Sequence, residues 1–131
     1  MINQIALITI LTDDVPRLAA FYRDALNFEV KQDMGGFIEF RHNGVRFALC
    51  ARSILHEAST HASYTEAHRG QCFELAFPCR EPAEVDRMYA EIVARGAAPI
   101  HVPSDMPWGQ RTAMFADPDG NIHELFADLP K

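Results

Sequence analysis

The chain has 131 residues, 48% of them apolar and 23% charged, with a formal charge of −6. That is the make-up of one globular domain with a substantial core, and it is unlike that of a disordered protein. The acidic balance argues against nucleic acid or an anionic membrane as partner and favours a neutral or cationic ligand.

Taken in chain order, Ile5–Leu11 is short, continuous and β-branched, as a buried strand should be. It lacks the basic start and cleavage site of a signal peptide, and no stretch reaches the roughly 18 apolar residues of a membrane helix. Thr12-Asp13-Asp14 then offers N-cap oxygens, and Pro16 suits a first helical turn. Leu18, Phe21, Tyr22, Ala25 and Leu26 make one apolar helix face, and Asn27 tolerates the left-handed C-cap that follows. Strand-like runs over 28–33, 37–41 and 45–51 come next. Gly35-Gly36 separates the first two, and His42-Asn43-Gly44 makes a hairpin of the others.

The same order then repeats. Cys72–Pro78 alternates as a strand, and Pro82 opens a helix with Val85, Met88, Tyr89, Ile92 and Val93 on one face and Gly96 at its end. Pro99–Val102, Thr112–Ala116 and Asn121–Ala127 follow as strands. Asp117-Pro118-Asp119-Gly120 supplies the fixed φ and the positive φ of a tight turn between the last two. Pro103–Gln110 reads as a loop carrying the only Trp. The expected organisation is α+β, a single domain made of two βαβββ modules, about 1–52 and 71–131, joined by a polar connector at about 53–70 with room for a short helix. A repeat of about sixty residues is the main organisational feature.

The string MFADPDGNIHELFA, an upstream WGQR and a helix reading AAFYRDALNF resemble the vicinal oxygen chelate superfamily of glyoxalases, bleomycin-resistance proteins and extradiol dioxygenases. The resemblance spans both modules. It implies the fold directly, with the curved mixed sheets of the two modules surrounding a cup for a small molecule, whereas activity has to be argued from the site. It also implies metal-ligand positions on the first and last strands of each module, which fall here on Leu7, Ala48, Glu74 and Glu124. Leu7 and Ala48 offer no side-chain donor, and the neighbours Arg46 and Cys50 do not restore a usual ligand set. Zinc sites take three or four N, S or O donors, and the iron triad takes two His and one carboxylate. The expected state is therefore without a cofactor. A divalent metal, if present, would rest on Glu74 and Glu124 as a weak hard-cation site.

Strand alternation assigns the cup face. It places Leu7 and Thr9, then Arg46, Ala48 and Cys50, then Cys72 and Glu74, and finally Ile122, Glu124 and Phe126 around the cup. This is an apolar pocket with a few placed polar groups, the usual make-up of a small-molecule site. Glu74 and Glu124 are open to two readings: a working acid–base pair with one raised pKa, or carboxylates that pair with Arg46 or Arg111 or reach solvent at the cup mouth. Trp108 is read as cover for the core in preference to a lid over the cup. His123 alternates away from Glu124 and reads as structural. His56-Glu57-Ala58-Ser59-Thr60-His61 fails as a zinc-protease motif, since the histidines are five apart where one helix face requires four. With His68 it reads as a solvated connector. Cys50, Cys72 and Cys79 read as free thiols in a reducing, cytoplasmic setting.

The expected function is metal-independent binding of a small organic molecule, neutral or cationic, as in resistance-type relatives. The alternative is a divalent-metal lyase or isomerase of the glyoxalase I (lactoylglutathione lyase) type, or a dioxygenase-related enzyme, so catalysis itself stays open. A symmetric homodimer is expected, because exposed sheet edges favour a partner.

Overall fold

The computed structural model describes residues 2–66 and 69–131, and His68 therefore lies outside the described residues. The chain forms two compact units, Met1–Arg69 and Gly70–Lys131. Each holds one four-stranded mixed sheet, so the α+β architecture read from the sequence is what the fold shows.

The first unit runs β1 (Leu7–Thr12), α1 (Val15–Asp24), β2 (Val30–Asp33), β3 (Phe37–Phe40), β4 (Arg46–Ala51) and α2 (Arg52–Ser59), with one 3-10 turn at Ala62–Tyr64. The strand order is β1-β4-β3-β2, with β1 parallel to β4 over six residue pairs and the other neighbours antiparallel. Asp14 caps α1 by accepting the Arg17 N–H at 3.1 Å, and Asn27 takes a φ of 63°, the left-handed conformation expected after the helix. α1 lays Leu18 and Tyr22, both fully buried, on the sheet. The Tyr22 ring meets Phe47 at 5.3 Å and Phe40 and Phe28 at 6.1 Å each, which builds an aromatic core. The double glycine has two separate causes. Gly35 turns with φ 81°, while a β-carbon on Gly36 would run into Ile54 Cδ1 of α2.

The second unit runs β5 (Ala76–Pro78), α3 (Pro82–Ala94), β6 (Ala98–Met106), β7 (Gln110–Ala116) and β8 (Ile122–Asp128), in the order β5-β8-β7-β6. α3 packs against β6, β7 and β8, and Val85, Ile92, Phe115 and Leu125 are buried. At the β7–β8 turn the buried Asp117 carboxylate accepts the N–H groups of Asp119 and Asn121 and the Asn121 side-chain amide, each within 3.0 Å.

Two expectations are corrected in this unit. The strand read over Cys72–Pro78 pairs regularly only from Ala76 to Pro78, because before it His123 takes up the Leu75 N–H and the Gln71 side chain takes up backbone groups of Ile122. The loop read over Pro103–Gln110 is mostly strand. β6 continues to Met106, pairing Ser104 with Thr112 and Asp105 with Arg111, and leaves only Pro107–Gly109 to turn. Pro103 is tolerated because it sits within the register shift between His101 and Ser104 on an edge strand, where its missing N–H breaks no ladder.

Candidate functional site

β8 forms the centre of the second unit's candidate site. Its register sets Glu124 beside Ala76 of β5 and Met114 of β7, so these three share the sheet face opposite α3. Ile122 and Phe126 flank Glu124 on that face, each half-buried. His123 and Leu125 alternate to the other side, where both are buried. Glu124 is itself half-buried, and among the described residues its carboxyl has neither a hydrogen bond nor an ion pair. Burial pushes its pKa above the ordinary carboxylate value, and the negative charge of Glu74 pushes it the same way. Glu74 is exposed, in the segment that precedes β5.

That segment is held by side chains. Gln71 behaves as an extra strand residue: its amide oxygen accepts the Ile122 N–H at 3.0 Å, and its amide nitrogen donates to the Ile122 carbonyl at 2.7 Å and also to the Phe73 carbonyl. His123 Nδ1 accepts the Leu75 N–H at 3.0 Å, and the Leu75 carbonyl accepts the Glu124 N–H at 3.0 Å. An acceptor Nδ1 puts the proton of the neutral ring on Nε2, which lies 3.8 Å from Asp117 Oδ2. His123 is thus the structural residue that alternation implied, and it fixes the backbone on either side of Glu74 and Glu124. Two positions from Met114 on the same face, the buried Thr112 Oγ1 has no hydrogen-bond partner among the described residues.

The expected pairing of Glu74 or Glu124 with Arg46 or Arg111 is corrected, whereas Glu74 does reach solvent. Arg111 alternates to the α3 side of the sheet, where it bonds Asp86 Oδ1 at 2.8 Å and Asp105 Oδ1 at 2.9 Å. Arg46 grips Glu39 through two bonds of 2.6 and 3.0 Å. Trp108 is corrected as well. It is 60% exposed at the β6–β7 turn, with Nε1 donating to Gln110, because a three-residue hairpin tip projects away from the core. Cys72 is exposed and Cys50 buried, and all three cysteines are free thiols.

In the first unit, Leu7 and Thr9 of β1 share the face opposite α1 with Arg46 and Ala48 of β4, while Cys50 pairs with Leu11 there. Leu7 and Thr9 are half-buried, Ala48 is fully buried and Arg46 is exposed. The residue missed in the sequence is Glu39, which pairs with Ala48 across β3 and β4 and is only 3% exposed. The Arg46 guanidinium, and secondarily Lys31 at 3.7 Å, hold its carboxyl below the usual range against the opposing effect of burial. Alternation in Phe37-Ile38-Glu39-Phe40 and an arginine across the hairpin were the available signals. Arg46 therefore enters the first unit as the partner of a buried acid.

Among the described residues no group of three or more His, Cys, Asp or Glu could hold a metal ion. Glu74 and Glu124 come together without imidazole or thiolate, a donor set that does not fit zinc or the iron triad. His56 lies within α2, whereas His61 falls beyond it, after a left-handed Thr60 (φ 57°), and bonds Ser63. No helix among the described residues is long and apolar enough to cross a membrane.

Comparison with known proteins agrees with this architecture. The family model described as Glyoxalase/Bleomycin resistance protein/Dioxygenase superfamily matches residues 2–125. A glyoxalase/bleomycin resistance protein/dioxygenase from Nocardioides is 30% identical, with a TM-score of 0.86, over 95% of this chain and 83% of that one. A glyoxalase/bleomycin resistance protein/dioxygenase family enzyme from Burkholderia phytofirmans PsJN has a TM-score of 0.85 at 22% identity, over 95% of this chain and 98% of that one. A lactoylglutathione lyase from Agrobacterium tumefaciens has a TM-score of 0.73 at 24% identity, over 95% and 93%. These last two show likeness of fold alone. Among curated proteins no relative matches the chain.

Proposed function

The chain belongs to the glyoxalase/bleomycin resistance protein/dioxygenase superfamily, and from that premise we propose that it binds a small organic molecule, neutral or cationic, at Glu124, without a transition metal. One observation carries the reading. Glu124 is a half-buried carboxyl with no partner among the described residues, its pKa raised by burial and by a second carboxylate. A fold gains nothing from such a group, and unpaired acids of perturbed pKa cluster at functional sites. The apolar neighbours Ile122, Phe126 and Met114 supply the wall, and Glu124 the polar anchor. Protonated, it donates a hydrogen bond; ionised, it accepts one from an amine or hydroxyl.

The test is Glu124→Gln, measured by denaturant unfolding and by thermal shift with a panel of amines and neutral metabolites. Native-state ligands raise the melting temperature of the wild type by mass action. The substitution is expected to leave folding intact and to weaken the wild-type ligand by about 1.5–3 kcal/mol, the value of a charge-assisted hydrogen bond. A large loss of stability with unchanged binding per folded molecule would make Glu124 a strut and end this reading.

A second reading is a divalent-metal lyase or isomerase of the glyoxalase type, or a dioxygenase-related enzyme. The raised pKa of Glu124 favours it, because a carboxyl poised nearer neutrality suits general acid–base work. Elemental analysis after gentle purification separates the two. One tightly held transition metal per chain would replace the first reading with the second.

We also propose a symmetric homodimer with β1 near the interface. β1 is an edge strand, and Ile5 just before it is 73% exposed. Light scattering at micromolar concentration should report a dimer, and a monomer alone would sink the proposal.

A further inference from the structure

The first unit carries a depression of 260 Å³ at the hairpin end of its sheet, on a different unit from the Glu124 site. Its lining includes Lys31, Glu39, Arg41, His42, Asn43 and Arg46. In a chain of net charge −6, three cations here face one acid. That acid is Glu39, already consumed by Arg46 and Lys31. From this geometry we infer that the depression is a binding site for the oxyanion group, carboxylate or phosphate, of a small molecule.

Three features carry the inference. The first is a surplus of donors. Arg46 uses Nε and one Nη2 proton on Glu39, which leaves three of the five N–H groups of its planar fork for another acceptor. Lys31 reaches Glu39 only at 3.7 Å, and Asn43 adds an amide whose side chain makes no hydrogen bond among the described residues. The second is preorganisation. The buried Glu39 holds the guanidinium in one orientation, so an arriving anion meets a fork already set, and little side-chain entropy remains to be lost. The third is the rim. His42 donates Nδ1–H to the Val45 carbonyl at 2.6 Å and stacks on Phe28, which fixes the ring at the mouth. Arg41 binds the exposed Glu29 at 2.9 Å, a solvated pair that an anion can exchange. Glu39 and Glu29 are thus both paired, while donors remain.

The proposal is independent of the Glu124 reading, and its test touches neither Glu74 nor Glu124. The full chain, labelled with nitrogen-15, is titrated in low-salt buffer with inorganic phosphate and, separately, with acetate. Saturable shifts are expected at the backbone amides of His42 and Asn43 and at Arg46 Nε. The probe that saturates at lower concentration names the source, phosphoryl or carboxylate. Lys31→Gln and Arg41→Gln should each weaken that probe about threefold, the scale of a solvent-exposed charge pair, whereas Lys31→Arg should retain it. Both side chains are solvent-exposed, and if one neutral variant fails to fold the other carries the test. Shifts that stay linear with both probes, or equal affinity in the neutral variants, would overturn the proposal.

Discussion

The two units share one topology and solve it with different chemistry. In the first, β1 pairs with β4 over six residues, and an aromatic cluster of Tyr22, Phe28, Phe40 and Phe47 fills the space beneath α1. In the second, β5 pairs with β8 over three residues, and polar side chains finish the seam: Gln71 on Ile122, and His123 on Leu75. The acids differ in the same sense. Glu39 is more deeply buried than Glu124 and has Arg46 and Lys31, whereas the charge acting on Glu124 among the described residues is the like charge of Glu74. The contrast is between an acid that is paired inside the chain and one that is left open to a ligand. A paired buried acid stabilises its own surroundings, while an unpaired one is tolerated for what it meets from outside.

The largest expected effect lies in the first unit. Phe47→Ala removes the ring that touches Tyr22, Phe28 and Phe40, and should cost about 3–5 kcal/mol in denaturant unfolding. A loss below about 1 kcal/mol would mean that the core collapses around the gap and that the aromatic cluster is not what distinguishes this unit.

A smaller effect is expected at the seam of the second unit. His123→Leu keeps an apolar body but strips the Leu75 N–H of its acceptor, which should cost about 1–3 kcal/mol. Hydrogen exchange at the Leu75 amide should accelerate more than exchange in α3. Unchanged Leu75 protection would show that the side-chain seam is not what holds residues 71–75.

The smallest effect sharpens the comparison through its sign. Glu39 has a depressed folded pKa, so its contribution is present above the unfolded carboxylate pKa and is lost as pH falls through the folded value. Glu124 has a raised folded pKa. Its relative stabilisation is complete below the unfolded value and is lost as pH rises through the folded one. Glu124→Gln should therefore gain stability over wild type near neutral pH, by less than about 1 kcal/mol, and lose that advantage in acid. Glu39→Gln should do the opposite, destabilising most near neutrality. Unfolding midpoints of both variants at acidic and neutral pH decide this, and a common sign would erase the distinction between strut and site.

Much of the fold was legible because its signals are local. The spacing of Leu18, Phe21 and Tyr22 places α1, Asn27 marks its end, and the Asp117–Gly120 turn is written in four residues. Face assignment was legible too, since alternation separates Glu124 from Leu125 whatever lies around them. The ends of β5 and β6 were not. Cys72–Leu75 alternates like a strand, but Gln71 and His123 occupy the backbone groups that a regular ladder would use. Pro103 reads as a breaker, yet β7 supplies partners on both sides of it.

The sequence by itself determined the two modules, their order of elements, and which residues share a face, because periodicity and turn chemistry act within a few residues of one another. Which charges meet was decided only by the tertiary structure. Arg46 could reach any acid on its face, and the β3–β4 register assigned it to Glu39; Arg111 went to Asp86 because α3 covers its side of the sheet. Long side chains span several ångströms, so their partners depend on strand register and helix docking and not on neighbours in the chain. Among the described residues no arginine pairs with Glu124, for the same reason, and the proposal for this residue rests on that.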